Sequence, residues 1–377
     1  MSRYPRHAER LLCAAERGRA RALISARGLD FASNDYLGLR ASADLAQAVT
    51  EALARGVAVG AGGSRLLRGN DPEFAALEAE AAAFFGAEAC LYMGGGFQAN
   101  QAVFATLPMA GDLVLHDALI HASAHEGMRL GAAELRRFRH NDVADAAGQI
   151  HLWRAAGGRG RVWIALETLY SMDGDFAPVE DFAALARRED AVLILDEAHA
   201  TGLYGRDGRG LAPDAGDLAL IVVHTCGKAL GASGALICAD RVLIETLVNR
   251  ARPFIYATAP SPLMAAAVRA ALRLLPARPE LRAHAAALRA QAQHRAAEIG
   301  LAPGESQILP WVLGADTAAL SAAARLQAAG FDLRAIRPPT VPKGTARLRI
   351  SLTGGLQTSD IDALFDAISD LWTEFLP

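Results

Sequence analysis

Apolar positions along this chain recur with two periods. Between Asp71 and Gly86 they fall at Phe74, Leu77, Ala81 and Phe84, one face of a helix, with Asp71 as side-chain cap, Pro72 at the first helical position and Gly86 as the stop. Short unbroken apolar runs read instead as strands covered on both faces. These are CLYM ending at Met93, RVWIALE from Arg161 to Glu167, AVLILDE from Ala191 to Glu197, LALIVVH from Leu218 to His224, and GALICAD from Gly234. After CLYM, GGGFQANQAV predicts a glycine turn opening a helix, whose first amides make an anion site. The alternation predicts an α/β fold with a mostly parallel central sheet. From about Pro262 an Ala- and Arg-rich pattern predicts helix to about Ile299, followed by short strands around Ile308 to Val312 and Arg347 to Leu352. A last helix, capped by Thr358 or Ser359, carries the stripe Ile361, Leu364, Phe365, Ile368, Leu371 and Phe375. The expected division is an N-terminal segment 1–40, a large domain 41–275 and a small C-terminal α/β domain 276–377. No internal repeat or low-complexity linker interrupts it.

Composition narrows the classes. With 377 residues, 52% of them apolar, the chain can bury a large core and falls in the size range of about two domains. A net charge of -3 offers no basic field for nucleic acid or anionic lipid. No apolar stretch is long enough for a membrane-spanning helix. The arginine-dense start, before Arg27, is interrupted by Glu9 and Glu16 and reads as a surface helix rather than a transit peptide. Cys13, Cys90, Cys226 and Cys238 have no CxxC spacing, which reads as reduced thiols and a cytoplasmic protein.

Amine chemistry has few candidates, because among 38 basic residues only Lys228 and Lys343 are lysines. Lys228, in TCGKALGASG after an apolar strand, has the address of a residue facing a cleft. Lys343, among prolines and glycine in PPTVPKGTARLR, reads as a solvated turn. In LILDEAHATG, Asp196 closes a buried strand and His199 follows three residues on, so both can reach one ligand, unless Asp196 only caps the next element and His199 is a surface residue. The DEAH string also matches a helicase box, but no phosphate-loop lysine motif accompanies it and the acidic balance opposes nucleic acid. Lys228, Asp196 and His199 with the turn Gly94 to Gly96 point to pyridoxal phosphate: a lysine to hold the aldehyde, an acid for the pyridine nitrogen, and a helix start for the phosphate. Gly96 and Phe97, with the hydroxyls of Ser171 and Thr225, can supply that phosphate site. His116, His121 and His125 in HDALIHASAHEG raise a metal site, but HExxH is missing and no ligand set completes it, so no metal is expected. The ring of His121 is better read as stacking on the cofactor, with a surface histidine as the alternative.

SNDYLGL, GAGGSRLLRGN, GGGFQANQAV, HASAHEG, SMDGD, LDEAHATG, TCGKALG and IRPPTVPKGTARLRISL stand in this order from about Phe31 to the C-terminus. In that set and order the chain resembles the α-oxoamine synthases. The resemblance implies a fold-type I pyridoxal phosphate transferase, a homodimer with active sites at the subunit interface, and condensation of an amino acid with an acyl thioester. SNDYLGL and the IRPPTVPKGTARLRISL stretch most resemble the branch that joins L-alanine to a pimeloyl thioester, carried by coenzyme A or acyl carrier protein; sister branches use glycine or serine. It further implies that Lys228 is the Schiff-base lysine, Asp196 the partner of the pyridine nitrogen, His199 a donor to the ring oxygen, and His121 the stacking residue that also touches substrate. Gly96, Phe97, Ser171 and Thr225 would hold cofactor, and Thr258 would reach the neighbouring subunit's phosphate. Arg349 would clamp the substrate carboxylate, with Asn34 and Glu167 near the substrate and Thr340 in the acyl site. The short N-terminus leaves Arg10, or alternatively Arg21, as the arginine meeting the acyl substrate. GGGF stands where the family usually has a serine-glycine turn, which removes a hydroxyl and keeps the amides.

Overall fold

The strands of the central sheet are short and, apart from one at its edge, buried along almost their whole length, and the computed structural model, which describes residues 3–372, shows how they pair. In chain order the strands are β1 (Leu29–Asp30), β2 (Ala89–Met93), β3 (Leu113–Asp117), β4 (Glu134–Phe138), β5 (Val162–Glu167), β6 (Val192–Asp196), β7 (Leu220–Thr225), β8 (Ala235–Ala239), β9 (Ile308–Gly314), β10 (Phe331–Asp332), β11 (Ala335–Ile336) and β12 (Ala346–Ser351). Seven form one sheet in the order β2-β8-β7-β6-β5-β3-β4. The β7-β6-β5-β3-β4 pairings are parallel, while β8 runs antiparallel to both β2 and β7. The sheet is therefore mostly parallel, with its antiparallel members at the β2 side.

Two units divide the chain: Asp35–Ser171 with Asp175–His284, and Met1–Asn34 with Met172–Gly174 and Ala285–Pro377. In the first, helix Gly96–Thr106 packs Ala99, Ala102, Val103 and Phe104 into a core shared with Val114, Ile194, Val223 and Ile237. Helix Pro72–Phe85 forms as its sequence dictates, with Asp71 accepting a hydrogen bond from the Glu73 amide at 2.9 Å and Gly86 at φ 73° ending it. In the second, β11-β12-β9 is antiparallel and packs Leu309, Leu348 and Ile350 with Leu326, Ile361, Leu364, Phe365 and Ile368. Burial of such side chains contributes roughly 1.5–3 kcal/mol each. The last helix runs Thr358–Trp372, and Phe375 lies outside the described residues.

Three features depart from the sequence pattern. Strands β3 and β4 are present, although neither was legible as an apolar run: LVLHD ends in two polar residues, and ELRRF at the sheet edge buries fully only Phe138. The helix expected to run on from Pro262 to about Ile299 is two helices, Pro262–Ala277 and Pro279–Glu298, because Arg278 before Pro279 takes a non-helical φ of -128°. The chain also goes from β7 to β8 without an intervening helix, through the turn that carries Lys228.

The N-terminal helix Pro5–Glu16 buries no residue, and Lys343 is exposed. Cys90, Cys226 and Cys238 are buried free thiols, and Cys13 is exposed. Among the described residues no helix is long and apolar enough to cross a membrane.

Candidate active site

Parallel strands end their backbone pairing at one edge, and the side chains there meet the turns that follow. Asp196 is the last residue of β6 and sits in register with Glu167, the last of β5. Buried Asp196 accepts at both oxygens, Oδ1 from the Ala198 amide at 2.9 Å and Oδ2 from the Asn100 side-chain amide at 2.7 Å. The local bond to Ala198 is the turn-capping role considered from sequence; the bond to Asn100 adds a partner from helix Gly96–Thr106.

His199 is buried in the same turn and not at the surface. Its Nδ1 lies 2.7 Å from the hydroxyl of buried Tyr36, and its Nε2 lies 2.6 Å from Lys228 Nζ. Lys228 is held by a tight connection in which the Gly231 amide donates to the Lys228 carbonyl at 2.9 Å and the Ala232 amide to that of Cys226 at 2.9 Å. Gly231 has φ 64°, and a side chain there would meet the backbone of Leu39 at 2.5 Å, so glycine is required.

On the far side of Asn100, the chain of polar groups continues. The Asn100 amide also donates to Ser123 Oγ at 2.9 Å, and Ser123 Oγ lies 2.8 Å from His121 Nδ1. His121 caps helix Ala122–Leu130, accepting from the Ser123 amide at 3.2 Å. Although its residue area is exposed, desolvation of the ring and the Lys228 charge hold its pKa below the ordinary imidazole value against the pull of Asp196. Burial, and then the charge of Asp196, push Glu167 well above the usual carboxylate range, and its Oε1 is buried with no hydrogen-bond partner.

These residues fit pyridoxal phosphate. Helix Gly96–Thr106 opens from the extended Gly95, leaving its first amides free of helical partners; a Cβ on Gly96 would lie 2.6 Å from Thr225 Cγ2, so only glycine lets that side chain approach the helix start. Phe97, in the first turn, is exposed, and Ser171 is buried four residues beyond Glu167. An amine, an acceptor-only carboxyl, an anion cradle and an orphaned carboxyl oxygen together match the groups of that cofactor. Thr258 lies exposed beyond helix Arg252–Ile255, and the structure does not bring it into this cluster. Among the described residues no set of His, Cys, Asp or Glu is arranged to hold a metal ion.

The other unit assembles further residues expected from the sequence. Arg349, buried on the central strand β12, donates through Nη2 to Asn34 Oδ1 at 2.8 Å. The segment before Asn34 is pinned by the Ser351 amide donating to the Phe31 carbonyl at 2.9 Å. Arg347 on the same strand is buried too, and donates to Asp173 Oδ1 at 2.5 Å and to the Met172 carbonyl at 3.2 Å. A cavity of about 1450 Å³ is lined by Arg21 and Thr340 together with Leu11, Leu23, Ile24 and Arg337. Arg10 lines two smaller hollows beside the N-terminal helix instead.

Tyr36, Asn100 and Ser123 escaped the sequence reading. Each was inside a quoted motif, and the usable signal was a polar side chain within a stretch already singled out for its chemistry.

A second polar centre braces the loops around this cluster. His140 places Nδ1 2.9 Å from Asp117 Oδ1 and Nε2 2.8 Å from Asp175 Oδ2, while Asn141 donates its backbone amide to Asp117 and its side-chain amide to Asp175, both at 2.8 Å. Burial disfavours the charge on His140, but hydrogen bonds to Asp117 and Asp175 outweigh it and push its pKa up to about 10. The resulting stabilisation is complete below the unfolded value near 6.5 and is lost as pH rises through about 10. A His140→Gln variant is therefore destabilised at pH 7 by on the order of 2 kcal/mol, less than an unscreened shift implies because the ring is partly exposed. Urea unfolding from pH 6 to pH 10.5 checks this: the gap to wild type narrows at the alkaline end, and a gap independent of pH would mean that His140 is neutral.

The chain belongs to the aminotransferase class I and II family, whose model matches residues 26–368. Within that family it is similar to the 8-amino-7-oxononanoate synthase of Anaeromyxobacter sp. (strain K), with 42% identity over 353 residues that cover 93% of this chain and 87% of the relative. Among solved structures it resembles the 8-amino-7-oxononanoate synthase of Francisella tularensis, with a TM-score of 0.75 and 26% identity over 93% of this chain and 99% of that one. A serine palmitoyltransferase solved with PLP matches with a TM-score of 0.88 and 25% identity, over 99% of this chain and 98% of the other.

Proposed function

We propose that this protein is a pyridoxal phosphate-dependent acyltransferase that condenses L-alanine with a pimeloyl thioester, releasing carbon dioxide and the thiol, the activity of an 8-amino-7-oxononanoate synthase. The observation that carries this reading is the 42% identity to the Anaeromyxobacter enzyme across nearly the whole chain. The cluster of Lys228, His199 and Asp196 supports it with suitable chemistry.

When bound, the cofactor supplies an aldehyde that takes up amines and a protonated ring that accepts the electron pair left by a departing proton or carbon dioxide. Lys228 holds the aldehyde carbon and, with its amine free, takes the amino acid's α proton at Nζ. Asp196 keeps the pyridine nitrogen protonated. His199 donates to the ring oxygen, and Tyr36 orients that imidazole. His121 would stack on the ring, Gly96, Phe97, Ser171 and Thr225 would hold the phosphate end, and Thr258 would reach the phosphate of a second subunit in a homodimer. Arg349 clamps the substrate carboxylate, which suits the bidentate geometry of a guanidinium. Asn34 and the buried carboxyl of Glu167 meet the substrate's polar groups. Thr340, with Arg10 or Arg21, meets the acyl substrate, a thioester of coenzyme A or acyl carrier protein; the cavity shared by Thr340 and Arg21 favours Arg21. The exposed apolar side chains of Val59, Leu67 and Tyr256 support a homodimer, and the buried free thiols agree with the cytoplasm.

Thiol release and ketone formation with pimeloyl-coenzyme A, measured against L-alanine, glycine and L-serine, test the proposal. Turnover with L-alanine in clear preference is the expected result. Preference for glycine or serine would move the protein to a sister synthase, the reading favoured by its likeness to serine palmitoyltransferase. No turnover with any of the three, repeated with pimeloyl-acyl carrier protein, would overturn the condensation.

A further inference from the structure

His121 has one ring nitrogen committed to the protein. Two donors converge on Nδ1: the Ser123 amide at 3.2 Å, which can only donate, and the Ser123 hydroxyl at 2.8 Å. The direction of that second bond is set further along the chain of contacts. Asn100 must present its NH2 group to Asp196, because the atom 2.7 Å away is a carboxylate oxygen, and the same NH2 group donates to Ser123 Oγ at 2.9 Å. With its oxygen accepting from Asn100, the Ser123 hydroxyl turns its own hydrogen toward His121. Asn100 and Ser123 are 3% and 1% exposed, so water cannot substitute for either.

We propose that Asn100 and Ser123 are positioning residues that lock His121 as the neutral tautomer, with Nδ1 unprotonated and the proton on Nε2, so that its free edge offers a hydrogen-bond donor and not a base. An imidazolium would need a proton on Nδ1, facing two donors, and the lock therefore opposes protonation as well as the other tautomer. The charged and titratable groups around the ring are Asp196 at the end of β6, Lys228 in the β7–β8 turn and His125 on helix Ala122–Leu130. Desolvation of the ring opposes the imidazolium, Asp196 favours it and Lys228 opposes it, which together hold the His121 pKa below the ordinary imidazole value, the same direction in which the lock acts. The use of the donor rests on the condensation reading: it suits an oxygen that gains negative charge, such as a substrate carboxylate or thioester carbonyl. The tautomer itself is a property of the protein and does not depend on the substrate.

The test is nitrogen-15 NMR of histidine-labelled holoenzyme, with the His121 signals assigned by their loss in His121→Asn. At pH 7 the wild type shows a protonated Nε2 and an unprotonated Nδ1. In Ser123→Ala, which keeps the backbone donor, the His121 pKa rises by about one unit, the worth of one lost hydrogen bond. Asn100→Leu releases the Ser123 hydroxyl and shifts the pKa the same way. A protonated Nδ1 in the wild type, or a titration of His121 that Ser123→Ala leaves unmoved, overturns the lock. Absence of thiol release with every amino acid would leave these spectra intact and count only against the condensation, whereas normal turnover with the wrong tautomer would count only against the lock.

Discussion

With Lys228 replaced by Ala, thiol release falls by at least about 10⁴-fold while the protein remains folded and still takes up pyridoxal phosphate reversibly. The size of the effect follows from two roles meeting in one amine. Lys228 is the only lysine in the cluster, and Lys343, the only other in the chain, is exposed and belongs to the other unit. No second primary amine in the cluster can tether the cofactor or take the α proton. His199, 2.6 Å from Nζ, is the nearest basic group, but its other nitrogen is engaged with Tyr36 and it is buried in the turn. The fold should survive, because the turn around residue 228 is held by the backbone bonds of Cys226, Gly231 and Ala232 and by the close approach of Gly231 to Leu39, none of which uses the lysine side chain. Absorbance of the bound cofactor, thiol release and circular dichroism on the same preparation separate these outcomes. Turnover within tenfold of wild type in a fully folded variant would sink the assignment of Lys228.

What was legible in the sequence followed from burial. Strands β5, β6, β7 and β8 lie inside the sheet with every residue but Thr225 buried, so their apolar runs are unbroken and readable. Strand β4 at the edge keeps three polar residues, and its identity is fixed by pairing with β3, which no local pattern reports. The break at Arg278 was readable in principle, since a proline follows it, but the surrounding alanines carry a helical pattern straight across. Site residues divide in the same way. Lys228 stood out because lysine is so scarce, and Asp196 and His199 because they follow a buried strand. Tyr36 is 163 positions from His199 and Asn100 is 96 from Asp196, and their roles exist only once the fold joins them. Glu167 is a mixed case. Its place at a strand end was visible, but its raised pKa comes from burial and from the charge of Asp196, a consequence of β5 and β6 pairing in register.

Replacing Asp196 with Asn lowers thiol release by about 10²–10³-fold, the cost of removing one preorganised charge from a site where charge develops. It also weakens cofactor binding, and the reason lies in the contacts of its two oxygens. Oδ1 and Oδ2 accept from the Ala198 amide and the Asn100 side chain. An amide at position 196 has only one accepting oxygen, so its NH2 group must face either the Ala198 N–H or the Asn100 NH2 group, leaving two buried donors opposed. A neutral amide also cannot hold a proton on the pyridine nitrogen by charge pairing. A second change follows in Glu167. The Asp196 charge is among the causes that raise the Glu167 pKa, so neutralising it brings that carboxyl down toward its ordinary value, although burial still holds it above. Titration of the apoprotein with pyridoxal phosphate, together with thiol release at saturating cofactor, separates weakened binding from lost chemistry. If saturation restored the wild-type rate, Asp196 would be an anchor for the cofactor without a part in stabilising the reacting charge; if neither quantity moved, it would have no place in the site.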